Sequence, residues 1–178
     1  MTETLPQDGT IRDGVTVEGK VEWVLRGPDG KVKESGRAFN TITRIGDQRL
    51  GEGGVGIAGA PAVPNGMKLG AGSTAPAKVD PGASLTTYLA NSHVAIGTPT
   101  SGLQGAVRRI TFTATWAAGK ATTASAITEA VIVNDYAAGT DATSTAANTL
   151  SRVLLSPAIG SKGANDTLTV TWTWDVGT

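Results

Sequence analysis

From Val15 the chain alternates: Val15, Val17, Val21, Trp23 and Leu25 fall on one parity, and Thr16, Glu18, Lys20 and Glu22 on the other, the period of a half-buried strand. Gly27-Pro28-Asp29-Gly30 predicts a type I turn, because Pro28 presets its own φ and Gly30 is free to take a positive one. Residues 31–40, KVKESGRAFN, then return as the second arm of a hairpin, and their charges predict an exposed or edge strand. The same alternation recurs downstream. Ile110, Phe112, Ala114 and Trp116 oppose Arg109, Thr111, Thr113 and Thr115, and Leu168, Val170, Trp172, Trp174 and Val176 oppose Thr167, Thr169, Thr171, Thr173 and Asp175. AITEAVIVN and TLSRVLLSP supply two more strands, with polar loops at 135–148 and 159–166.

One segment breaks the period of two. NTITRIGDQRL, 40–50, predicts a short helix with Ile42, Ile45, Arg49 and Leu50 on one face, Thr41 or Thr43 as its cap and Gly51 as its stop; Gly46 weakens its centre. Residues 51–66 are glycine- and proline-rich and read as loop. Two short strands, near Met67–Gly70 and His93–Ile96, follow around a long connection. Residues 1–14 are polar and without periodicity, the pattern of an extended arm that a neighbour must hold. The expectation is an all-β fold: an antiparallel β-sandwich, jelly-roll-like, with one short helix, as a single domain over 15–178 behind that N-terminal arm.

Composition narrows the chemistry. The chain of 178 residues and 18.0 kDa carries 24 glycines and only two Phe and two Tyr, which favours turns and strands over helices. It has no cysteine, which removes disulfides, thiolate metal sites and thiol nucleophiles together. Fifteen basic and fifteen acidic side chains give zero net charge, so no global field draws the chain to nucleic acid or an anionic membrane. Its apolar runs are short, and its first residues have neither a basic nor an apolar leader region, so the chain reads as soluble and without a secretion signal.

Candidate catalytic groups are few. His93 is the only histidine, and no G-x-S-x-G elbow accompanies it; a histidine at a strand start with no chemical task is the plainer reading. GEGGVGIAGAP would suit a phosphate only if it followed a buried strand and opened a helix, but it follows the probable helix and runs into prolines. Arg108 and Arg109 are a tandem at a strand start, so alternation leaves one of them exposed. Glu129 shares parity with Ile127, Val131 and Val133, and needs a partner such as an Arg if that face is buried, or else sits at the rim. A glycan depolymerase needs paired carboxylates, and candidates such as Asp135 and Asp141 are offered only by proximity. Trp23, Trp116, Trp172 and Trp174 each lie on the apolar parity of their own strand, which favours core or subunit interface over an exposed sugar platform. The reading assigns no catalytic residue, no cofactor and no metal ligand.

The order of the pieces resembles a group of tailed-bacteriophage virion proteins. The resemblance rests on NTITRIGDQRL, on MKLGAGSTAPAKVD with SLTTYL, on RRITFTATWAAGKATTASAITEAVIVN and on TLSRVLLSPAIGSKGANDTLTVTWTW, covering about residues 40–175. After ITEA this chain continues Val131-Ile132-Val133-Asn134 where those proteins carry Gly-Leu-Phe. The resemblance implies a non-enzymatic virion protein, a decoration or cement protein on the capsid exterior, assembled in the host cytoplasm. It also implies that the protein binds the major capsid protein as a homo-oligomer, often a trimer, without nucleic acid or membrane. A tail-fibre, baseplate or head-fibre component touching a host-surface glycan is the alternative. Leu5, Ile11 and Arg12 of the arm, together with Arg108, Trp172 and Trp174, are the candidate partner contacts.

Overall fold

A computed structural model describes residues 16–136 and 141–177, so Leu5, Ile11, Arg12 and the arm they belong to lie outside the described residues. The alternating segments form strands β1 (Thr16–Arg26), β2 (Val32–Ile42), β6 (Val107–Trp116), β7 (Ile127–Val133), β8 (Thr149–Ile159) and β9 (Thr167–Gly177). Helix α1 (Arg44–Gly54) follows β2, and three short strands, β3 (Gly66–Gly70), β4 (Val94–Ala95) and β5 (Thr100–Gln104), precede β6. All pairings are antiparallel, in the order β4-β3-β7-β8-β2-β1-β9-β6-β5.

This single sheet curls into a sandwich-like, all-β fold. β2 makes the bend: it pairs with β1 from Asn40 to Val32, but with β8 only at Thr41 and Ile42. Val21, Trp23 and Leu25 of β1, Phe112, Ala114 and Trp116 of β6 and Leu168, Val170, Trp172 and Trp174 of β9 meet Met67, Leu69, Ala130, Ile132, Leu150 and Val153 in one core. All four tryptophans are buried, as their parity predicts. Gly36, directly opposite Trp23, is required there, because a Cβ would lie 2.2 Å from the indole.

One local expectation is met and another is corrected by packing. β2 is exposed, as its charges indicated, while lying interior in the sheet order. The helix starts at Arg44, since Thr41 and Ile42 complete β2, and Thr43 is the cap, its Oγ1 accepting from Gly46 N–H at 3.2 Å. The helix passes through Gly51 and ends at Gly54. Gly46 permits contact: a Cβ there would sit 2.1 Å from the Leu150 carbonyl oxygen of β8, so the glycine lets the helix lie on the sheet. The turn at Gly27–Gly30 forms as read, with Gly30 at φ 76° and its N–H donating to Gly27 O at 2.9 Å.

β7 carries a register shift between Ile127 and Glu129. The two residues therefore do not share a face: Ile127 joins the main core, while Val131 and Val133 form a second cluster with Leu85, Tyr88 and Tyr136. That outer face of β7 is covered by the connection between β3 and β4.

Candidate functional site

The covered face holds three buried charges, Glu129, Arg152 and Lys68. Glu129 and Arg152 are both fully buried, with Nη2 2.6 Å from Oε2, so the arginine partner that burial demanded is present. The rest of their hydrogen-bonding capacity goes to the β3–β4 connection. Glu129 accepts from the backbone N–H of Gly72 at 3.0 Å and of Thr87 at 2.8 Å, and Arg152 Nη1 donates to Gly82 O at 3.0 Å. Lys68, buried on β3, donates to Ala142 O at 2.9 Å and lies 3.9 Å from Asp135. Asp141 accepts from Tyr88 Oη at 2.6 Å and Asn91 N–H at 2.7 Å, with His93 Nδ1 3.7 Å away.

Electrostatics follow from these contacts. Burial, with Asp141 beside it, pushes the Tyr88 phenol up to about 12, and the Tyr88 hydrogen bond holds the Asp141 carboxyl below the usual aspartate range. Asp135 and Asp141 answer to different partners, Lys68 and Asn148 for one, Tyr88, Asn91 and His93 for the other. A third staple lies at the β8–β9 loop: Lys162 donates to Ala117 O at 3.1 Å and Asp166 O at 2.7 Å, and burial pulls its ammonium below the ordinary lysine range. Each buried cation thus ends on a carbonyl of a connection. Among the described residues no group of three or more His, Asp or Glu is placed to hold a metal ion, and no helix is long and apolar enough to cross a membrane.

The opposite character appears where α1 meets the ends of β1, β6 and β9. Leu50 is shared by two adjoining grooves there, one lined by Val63, Pro64, Ile110, Phe112 and Trp174, the other by Val17, Asp47, Gly51 and Val176. The loop 55–65 forms one lip and carries Val55, Ile57 and Val63, which are 75%, 53% and 56% exposed. Arg49 Nη1 donates to Pro61 O at 3.2 Å and fixes that loop to the helix. The glycine-rich run, read as loop from residue 51, supplies the last turn of α1 through Gly54 before becoming loop, so it closes a helix instead of opening one, and Val55 and Ile57 are exposed.

The tandem arginines separate as alternation requires. Arg108 is exposed and sits opposite both Val176 and Leu103, while Arg109 forms a two-pronged pair with Asp175 at 2.7 and 2.6 Å. Trp172 and Trp174, read as candidate partner contacts, are both buried within the chain; Trp174 packs edge-on against Phe112 at 4.9 Å and lines one of the grooves. Among the described residues neither indole N–H has a partner, whereas Trp116 donates to Ser92 O at 2.5 Å. Sequence reading missed Val55, Ile57 and Val63. The signal was available: each is an apolar residue isolated among Gly, Ala and Pro, with no periodic element to bury it.

Fold and site together define an all-β, sandwich-like protein with stapled connections on one face and an open apolar mouth. No protein-family model matches the chain, and no curated protein or solved structure matches it either.

Proposed function

We propose that this chain is a non-enzymatic virion structural protein of a tailed bacteriophage, which decorates the assembled capsid by binding the major capsid protein as a homo-oligomer, a trimer in the simplest case. The observation that carries the reading is the exposure of Val55, Ile57 and Val63 on the one loop 55–65, whose Val63 and Pro64 line a Leu50 groove, on a chain whose buried charges are committed to holding its own loops. Such a lip matches the depleted charge at the centre of protein interfaces. The all-β fold accords with what the sequence resemblance implies, and the neutral charge favours recognition by shape.

Cosedimentation with expanded, undecorated capsids of the phage that encodes the chain tests this. Saturable binding that Val55→Asp with Ile57→Asp abolishes is expected. Binding to host cells or glycans with none to capsids would replace this reading by that of a tail or head fibre, and hydrolysis of host polysaccharide would replace it by that of an enzyme.

A further inference from the structure

The two ends of the sheet are unequal. Beyond β4, Gly97 N–H donates to Thr113 O at 2.9 Å, laying the chain against β6. At the other end β5 pairs with β6 alone, and among the described residues no strand lies on its outer side. The two-residue turn Gly105–Ala106, with Gly105 at φ 62°, joins Gln104 to its partner Val107. Such a turn closes on a pair that exchanges both backbone hydrogen bonds, and the pattern alternates from there. Gln104, Gly102 and Thr100 thus aim N–H and C=O at β6, while Ser101 and Leu103 aim theirs outward.

Among the described residues no charge, proline or bulge blunts this edge. TSGLQ contains no charge and no proline, its register with β6 is unbroken, and Leu103 is 67% exposed. We propose that β5 is a self-pairing edge, which joins β5 of a second copy antiparallel about a two-fold axis through Gly102. With Gly102 opposite itself, Ser101 of each copy faces Leu103 of the other, and every outward N–H and C=O finds a partner. A register slipped by two residues leaves one of these residues unpaired. The absence of charge is what suits the strand to its own copy, since no like charge meets itself across the axis. Both Leu103 side chains come to the same face, on the side of Ile110 and Arg108. This contact is independent of the capsid-binding reading and adds to it a specific contact between copies.

Two kinds of variant test it in the full chain. Ser101→Pro and Leu103→Pro each delete an outward N–H without removing a β5–β6 bond. Analytical ultracentrifugation should give wild type twice the mass of either folded proline variant. Gly102→Cys is the second test, because a Cβ at Gly102 meets nothing within 4 Å and the chain has no other cysteine. Facing residues of a non-hydrogen-bonded pair lie about 4.5 Å apart at Cα, within disulfide reach. Oxidised G102C should run as a linked pair on a non-reducing gel, whereas Thr113→Cys, exposed on β6, should not. Equal masses for wild type and proline variants, with G102C unlinked, would overturn the proposal; the cysteine result decides alone if the proline variants fail to fold.

Discussion

The outer face of β7 and the mouth beside α1 are built from opposite materials. The first buries Glu129, Arg152 and Lys68 and commits their hydrogen bonds to the backbone of two long connections. The second leaves Val55, Ile57 and Val63 in solvent on one loop, with Val63 lining one of the two grooves that Leu50 shares. Buried charge there determines shape, because a carboxylate that accepts from Gly72, Thr86 and Thr87 fixes where the connection runs. Exposed apolar surface is costly to maintain alone and gains only when something covers it. Buried charge in this molecule fixes its own connections, and under the proposed function the exposed apolar lip is the surface a partner covers.

The largest expected effect breaks the stapled side. Arg152→Met leaves Glu129 buried without its cation, and should cost about 3–5 kcal/mol in denaturant unfolding. Next is Gly46→Ala, which drives a methyl into the Leu150 carbonyl and should cost about 1–3 kcal/mol. Thr43→Ala removes the cap of α1 and should cost about 1 kcal/mol, read as a shift in the urea midpoint at constant slope. Val55→Ser and Ile57→Ser should stay within about 0.5 kcal/mol of wild type while weakening capsid binding, the outcome that separates the two regions most cleanly. An unfolding cost at Val55 as large as that at Arg152 would erase the distinction.

The acid limb sharpens the comparison further. Lys33 and the Gly163 amide hold the Asp166 carboxyl below the usual range, and Arg109 does the same for Asp175. A carboxyl with a depressed folded pKa contributes stability above its unfolded value, about 3.9 for aspartate, and loses it as pH falls through the folded value. Asp166→Asn should therefore flatten the fall of stability below about pH 4, while Val55→Ser leaves that slope unchanged. Stability measured across the acid range in each variant checks it.

Much of this was legible in the sequence where side-chain period and burial agree. The parity of Trp23, Trp116, Trp172 and Trp174 placed all four indoles inward, and the Gly27–Gly30 turn paired β1 with β2. The need for a partner at Glu129 was legible as well, although its identity as Arg152 depends on β7 lying beside β8. What stayed hidden is non-local. β5 has no alternation to announce it, since TSGLQ becomes a strand only because β6 offers an edge. The shift between Ile127 and Glu129 reverses a face with nothing in β7 to mark it, because the extra residues, Pro157 among them, lie opposite on β8, and Gly46 looks like a helix weakness until Leu150 is seen against it. The mouth was missed for a different reason: parity identifies what is buried, and it says nothing about apolar residues that remain outside.

The central claim is that the open mouth, and not the stapled face, meets the partner. Hydrogen exchange on the chain alone and bound to expanded capsids tests it directly. The account predicts new protection across residues 50–64, with residues 71–93 unchanged. New protection at 71–93, with 50–64 exchanging as in the free protein, would contradict it.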